Sequence, residues 1–400
     1  MPNYQYTLLK PDGRQIKNIM TCDNERELKS LVQRNGDIVI DIKNKGSMYQ
    51  EIDLSRTPGP KELGMFCTQI HSILRAGVPV VEALEMVLPT TKNTKLKKAT
   101  EEIIENINSG LSMSDSMAKH SEIFPLVMTQ MIKAGEASGK LLEVFDRLGT
   151  QFEKEFKLKN SIKRALSYPK IILFVMLAAI VVVCAVVVPM FVKIFEEMDT
   201  ELPITTKMFI GLSELFTTKW YILVIIIVVG FSAWKLAMNS EQGRRKWTEL
   251  KLKIPLISDL IIKTESANFA RIFSTLLSSG KDYPDSLDIT KDTTDNVLFK
   301  EAIERINNNI KQGNNLADSM KYEELFPVMM VSMATIGENT GNVGGMLENA
   351  ADYFEEEVET ATMRVTGAIQ PIIIIFLGIF VGLLVYSIYS PMFSMYANIK

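Results

Sequence analysis

Histidine and cysteine, which carry much of the metal and nucleophilic chemistry of proteins, are scarce in this 400-residue chain. Its two histidines, His71 and His120, have no Cys or carboxylate neighbours at ligand spacing, which argues against a metal site. Cys22, Cys67 and Cys184 lie far apart, and Cys184 sits inside an apolar run, so neither a disulfide framework nor a Cys-x-x-Cys metal site can be read. No Gly-x-Ser-x-Gly or Cys/His signature for nucleophilic catalysis occurs. A formal net charge of −3 gives no global field to draw nucleic acid. The opening residues, MPNYQYTLLKPDG, lack the basic-then-apolar pattern of a cleaved signal peptide, so we expect membrane entry by internal spans and a cytoplasmic N-terminus.

What is present is segregated. The stretch from Pro371 to Pro391 is nearly unbroken apolar sequence without charge, close to the roughly 20 residues that cross a hydrocarbon core about 30 Å thick. Pro169 to Pro189 repeats it, and both runs continue as Pro-Met-Phe, at Pro189-Met190-Phe191 and Pro391-Met392-Phe393. A third apolar run covers about Trp220 to Met238, with Trp220, Tyr221 and Trp234 placed like interfacial anchors. The spans hold no ionisable residue that would mark an ion or proton path, which argues against a transporter or channel. Lys154, Lys157, Lys159, Lys163, Arg164 and Lys170 precede the first span, and Lys235, Arg244, Arg245, Lys246, Lys251 and Lys253 follow the second. The segment between them carries Glu196, Glu197, Asp199 and Glu201. The positive-inside rule therefore puts both basic flanks in the cytoplasm and Ile194 to Thr218 outside.

Residues 1 to about 55 read as a small ββαβ unit: strands Tyr4 to Leu9 and Gln15 to Met20 about a Pro11-Asp12-Gly13 turn, a helix Asn24 to Arg34, and a strand Ile38 to Ile42. So small a unit buries little apolar surface and is expected to be mobile or docked on a partner. Thr57-Pro58-Gly59-Pro60 reads as a linker. From Lys61 to Leu166 the apolar spacing is helical, with about six helices punctuated by Ala76-Gly77-Val78-Pro79, Gly110, Ser112, Phe124-Pro125 and Gly135 to Gly139.

This unit recurs. Phe269 matches Phe66, Gly280 matches Gly77 and Gly313 matches Gly110, at an offset of 203 (280 − 77). After one deletion the offset is 202 (327 − 125), where Phe326-Pro327 matches Phe124-Pro125, Gly337-Glu338 matches Gly135-Glu136, and Gly341 matches Gly139. Self-similarity in this order, Gly and Pro included, marks an internal duplication of bundle plus span. The expected fold is an all-α integral membrane protein, with two homologous cytoplasmic helical bundles of about six helices each, three transmembrane helices and a small mixed α/β N-terminal module.

The expected domain limits follow: an N-terminal module 1–56, a linker 57–60, a first bundle 61–168 and a first span 169–192. A short external loop 193–218, a second span 219–238 and a basic cytoplasmic connector 239–267 come next. The second bundle is 268–370, the third span 371–393 and the external C-terminus 394–400.

Gly135-Glu136-Ala137-Ser138-Gly139-Lys140 resembles a phosphate loop, but it is one residue short between the glycines and has Leu141 where Ser or Thr should bind magnesium. The repeat, Gly337-Glu338-Asn339-Thr340-Gly341-Asn342, lacks the lysine. A structural corner is the favoured reading: glycines end one helix, a small polar residue caps the next, and the glutamate sits near a helix N-terminus. An exposed corner could also contact a partner, so Gly77, Pro79, Gly135, Glu136, Gly139, Gly280, Gly337, Glu338 and Gly341 are candidate partner-contact or structural positions. Gly378 and Gly382 form Gly-x-x-x-Gly in the third span, readable as close packing within the monomer or as homo-oligomer contact. Glu355-Glu356-Glu357 and Glu359 read as a solvated helix face, with contact to a basic partner as the alternative. The bundle methionines and aromatics read as core. No catalytic residue, metal ligand or cofactor is assigned.

Taken together, Ala76-Gly77-Val78-Pro79, Phe124-Pro125, Gly135 to Lys140, Ser167-Tyr168-Pro169, Val188-Pro189-Met190-Phe191, Glu201-Leu202-Pro203, Phe269-Ala270-Arg271, Gly337 to Gly341 and Ser390 to Phe393 carry a resemblance. Over residues 60 to 398 the chain resembles the inner-membrane platform proteins of type IV pilus and type II secretion machines (the PilC / general secretion F family). It departs from them at Cys67-Thr68-Gln69, where Thr/Ser-Arg-Gln is usual, and at Gly280-Lys281-Asp282-Tyr283-Pro284, which distorts the second Gly-Val-Pro corner. The resemblance implies a non-enzymatic multi-pass protein of the bacterial inner membrane. Its implied partners are a cytoplasmic hexameric assembly ATPase, pilin or pseudopilin subunits, other inner-membrane assembly proteins and further copies of itself, without nucleic acid. It implies a role in lifting pilins into a growing fibre, with pseudopilus secretion or DNA-uptake competence as the alternative machine. A membrane enzyme or transporter is the reading from another class.

Overall fold

The computed structural model describes the backbone of residues 3–9, 15–21, 38–44, 56–197 and 204–398. The chain divides into two units, 1–56 and 57–400. In the first, β1 (Asn3–Leu9), β2 (Gln15–Thr21) and β3 (Ile38–Asn44) form an antiparallel sheet in the order β2-β1-β3. Tyr4 faces Met20 and Asn44, and a bulge falls between Thr7 and Leu8. The expected helix Asn24 to Arg34 and the turn at Pro11-Asp12-Gly13 lie outside the described residues.

Every described element of the second unit is helical. The first repeat comprises α1 (Pro60–Arg75), α2 (Val80–Val87), α3 (Thr94–Asn108), α4 (Met113–Ala118), α5 (Leu126–Ser138) and α6 (Leu141–Ala165). Local chemistry sets the ends. Pro60 occupies the first turn of α1, and the Glu62 carboxylate accepts from the Gly59 N–H at 3.0 Å. The Asn93 side chain caps α3 and the Ser112 hydroxyl caps α4. Phe66, Ile70, Leu84, Ile103, Phe145 and Leu148, at the helical spacing read from the sequence, converge with Met128 in one core.

From α6 the chain turns once at Leu166 and runs into α7 (Ser167–Val182), a π-helical segment (Val183–Val187) and α8 (Val188–Glu197). Pro189 has no N–H to give to the preceding turn, and a π segment immediately before it accommodates the missing bond. α9 (Ile204–Thr217) follows, then α10 (Trp220–Asn239) and α11 (Glu241–Leu252). The segment expected as a short loop thus contains a four-turn helix. Phe209 of α9 is buried and meets the Phe380 ring edge-on, with centroids 5.7 Å apart.

The second repeat consists of α12 (Pro255–Ser278), α13 (Tyr283–Thr293), α14 (Val297–Lys311), α15 (Leu316–Lys321), α16 (Val328–Thr340) and α17 (Val343–Asn398). Its core gathers Phe269, Phe273, Leu287, Phe299, Ile303, Met330 and Phe354. α17 is one helix of 56 residues that leaves this core and becomes the third apolar span without a break. Three helices are long and apolar enough to cross a membrane, over Leu141–Val192, Trp220–Asn239 and Val343–Tyr389.

Candidate functional site: two glutamate-capped corners and a charged cleft

The glycine-rich corners are built alike in both repeats. Gly139 ends α5 at φ +69° and Gly341 ends α16 at φ +72°, left-handed backbone that suits glycine. Gly135 and Gly337 answer a different need. A Cβ on Gly135 would stand 2.8 Å from Val144 Cγ2, and one on Gly337 would stand 2.6 Å from the Val343 Cα, so each glycine lets the next helix approach.

The glutamates explain the rest of the motif. Glu136 accepts from the Met113 N–H at 2.6 Å, the Ser114 N–H at 3.1 Å and the Ser114 hydroxyl at 2.5 Å. Glu338 accepts from the Leu316 N–H at 2.6 Å and the Ala317 N–H at 3.0 Å. Each carboxylate therefore caps the N-terminus of a short helix, α4 or α15, that lies about 22 residues earlier in the chain. Charge-assisted bonds at the positive end of a helix dipole are the strong kind. No small polar side chain caps α6, since Lys140 holds that position without a side-chain bond, whereas Asn342 accepts from the Gly345 N–H in the second repeat. The Gly135 to Lys140 loop is a three-helix staple whose carboxylate already occupies the helix N-terminus an anion would need.

The other corners keep their geometry despite the sequence change. Gly77 and Gly280 have φ +86° and +89°. Pro79 precedes α2, and in the second repeat Asp282 caps α13 through the Asp285 N–H at 3.2 Å. Gly378 and Gly382 stand on an exposed face of α17, with nothing within 4 Å of a Cβ built on either. Ile373, Phe380, Leu384 and Ser387 turn the opposite way and are less exposed.

Between the repeats lies a cleft that the sequence reading passed over. One part, of about 840 Å³, runs between α6 and α17, with Lys154, Lys157 and Arg164 on one wall and Glu355, Glu356 and Glu359 on the other. Glu355 and Glu357 are not part of a freely solvated face. Arg271, buried on α12, binds Glu355 at 2.9 Å and also Asp352, and Lys263 binds Glu357 at 2.7 Å. Only Glu356 and Glu359 of that run are exposed. Asp352 takes a second cation from the first repeat, Lys154 at 2.5 Å. Burial pushes the Asp352 carboxyl up, but hydrogen bonds from Lys154 and Arg271 outweigh it and hold the group below the ordinary carboxylate range. The first repeat has Thr68 at the position of Arg271 (271 − 203), so the buried cation belongs to the second copy alone. That difference between the copies was the signal available in the sequence.

A second part of the cleft, of about 490 Å³, is lined by Pro125, Gln151, Glu265, Arg271 and Asp295 among others. Burial, with the Asp295 charge adding to it, raises the Glu265 carboxyl from 4.5 to about 7, while a hydrogen bond with Asn296 opposes the shift. Asp295 also joins this loop to the membrane part, because the Arg244 guanidinium on α11, just after the second span, donates to the Asp295 carbonyl at 3.2 Å. Among the described residues no group of three or more His, Cys, Asp or Glu is placed to hold a metal ion. His71 Nδ1 lies 3.1 Å from the Leu142 carbonyl, tying α1 to α6.

A duplicated helical bundle, each copy leading directly into an apolar span, defines a multi-pass membrane protein whose polar features are helix staples and an inter-repeat ion network. The family described as type II secretion system (T2SS), protein F, matches residues 66–189 and again 269–391, one copy on each repeat. The chain belongs to this family. It is 33% identical to the type IV pilus assembly protein PilC of Thermus thermophilus over the full length of both chains. It is 31% identical to the protein of the same name in Pseudomonas aeruginosa, over 92% of this chain and 98% of that one. The type II secretion system protein F of Pseudomonas aeruginosa is 25% identical over 99% of each.

Proposed function

We propose that this protein is the inner-membrane platform of a type IV pilus assembly machine. It would couple a cytoplasmic assembly ATPase to the extraction and polymerisation of pilin subunits. The observation that carries this reading is the end-to-end match to pilus assembly proteins by a chain built as two bundle-plus-span copies. The higher identity to the two pilus relatives than to the secretion relative supports a pilus over a pseudopilus, and the full-length match to the latter keeps secretion as the second reading. Basic residues flanking the first two spans support cytoplasmic bundles and an external C-terminus. As a platform it would draw its energy from the partner ATPase. Purified full-length protein in detergent is expected to retain the assembly ATPase on a column and to hydrolyse no ATP alone. Hydrolysis by the chain itself would favour a membrane enzyme instead, and failure to retain the ATPase would remove the coupling role.

A further inference from the structure

The joint between the two repeats is one the chain makes once but carries the parts for twice. In it, α5 and α6 of the first repeat lie against α12 and α13 of the second. Leu276 and Ile289 enter the first repeat's core, beside Val127, with Ile272 packed against it. Two hydrogen bonds fix the register, Lys281 Nζ to Gln130 Oε1 at 3.3 Å and Thr275 Oγ1 to Gln151 Oε1 at 3.1 Å.

Shifting each side by the repeat offset gives the unused halves. The counterpart of the α5 face is the α16 face, where Val328 replaces Leu126, Met329 replaces Val127 and Ser332 replaces Gln130 (332 − 130 = 202). The counterpart of the α12 and α13 face is on α1 and α2, where Ser72 replaces Thr275, Val78 replaces Lys281 and Met86 replaces Ile289 (289 − 86 = 203). Several positions on these faces are more exposed than their counterparts in the joint, while Val78 and Ile73, the counterpart of Leu276, are half-buried. Ile289 is 8% exposed and Met86 57%; Val127 is 5% exposed and Met329 37%; Val328 reaches 82%. Gln151, which holds Thr275 inside the joint, becomes Tyr353, which is exposed. Two polar joint residues have apolar or aromatic counterparts, Val78 for Lys281 and Tyr353 for Gln151, while Ile272 has the polar counterpart Gln69. Such a surface on a folded bundle marks an interaction site.

We propose that these faces bind each other between chains: α16 of one copy seats on α1 and α2 of a second copy, repeating the joint found within each chain. The contact is head-to-tail, so every added copy presents a fresh pair of faces until the assembly closes. Each copy must keep its spans upright in the same bilayer, which makes the rotation axis the bilayer normal and the closed product a ring. The inference rests on the platform reading for the ring's purpose, a multi-subunit base for a fibre, and on the repeats alone for the contact.

The test uses full-length chains in membranes. One tagged chain carries Val78→Cys, a differently tagged chain carries Ser332→Cys, and the two are co-expressed and oxidised. A disulfide-linked species of twice the chain mass bearing both tags is expected, and Ser72→Cys with Tyr353→Cys should give a second. Adding Val328→Glu and Ile336→Glu, the second at a 47% exposed position about two turns further along α16, should lower the yield at least tenfold while the thermal transition of the bundles holds. Each single-cysteine chain expressed alone controls for Cys22, Cys67 and Cys184. The absence of linkage from both pairs, whether because another protein or residues 1–56 cover the faces or because copies meet elsewhere, overturns the joint. Fibre counts separate the two claims: linkage with normal fibres in a strain lacking the gene would leave the joint standing and remove the platform.

Discussion

A single carboxylate in each repeat fills the helix N-terminus that a bound anion would need. Glu136 and Glu338 turn back to earlier short helices and accept from the first-turn N–H groups of the buried Met113 and Ser114, or of Leu316 and Ala317. Replacing Glu136 by Gln keeps the shape but removes the charge from three hydrogen bonds at a helix N-terminus. The expected loss is about 1–2 kcal/mol of stability, the scale of a lost cap. It should appear as a lower midpoint of thermal unfolding for Glu136→Gln in detergent, with Glu338→Gln close behind. An unchanged midpoint in both variants would show that the staples carry no weight.

The helices themselves were readable because their punctuation is local. Pro60, Asn93, Ser112, Pro125 and Gly139 sit at or next to the ends that their chemistry predicts. What stayed hidden depends on which elements meet. Ile204–Thr217 carries enough polar residues to read as a loop between spans, and it becomes a helix whose Phe209 packs on Phe380. Glu265 looks like any surface glutamate in sequence, and only the α13–α14 loop beside it, with Asp295 and Asn296, makes it a half-buried acid. Because its folded value, about 7, lies above the ordinary 4.5, the folded protein holds this proton more tightly than the unfolded chain. The resulting stability is complete below about 4.5 and is lost as the pH rises through 7. Glu265→Gln should therefore flatten the fall in stability between pH 5 and 8 and add up to about 3 kcal/mol of stability at pH 8, read as a higher thermal midpoint. Equal pH slopes in wild type and variant would contradict this burial. Asp352 works in the opposite sense, since its lowered pKa gives stability present at neutral pH and lost only in acid.

On the scale of the whole molecule, duplication made the architecture legible and the differences between copies carry what the sequence alone did not reveal. Gly77 and Gly280, Gly135 and Gly337, and Glu136 and Glu338 recur in sequence and in geometry. Arg271 replaces Thr68, and with Lys154 it locks the repeats through Asp352. The two copies also reach the membrane differently. The first turns at Leu166 before its span, while α17 continues as one rod from Phe354 in the core through Gly378 and Gly382. The most direct test of the platform reading is the number of surface fibres, counted by electron microscopy, on cells with and without the gene. Loss of fibres on deletion, restored by the wild-type chain from a plasmid, is the predicted result; fibres at normal number together with normal secretion in the deletion strain would contradict it.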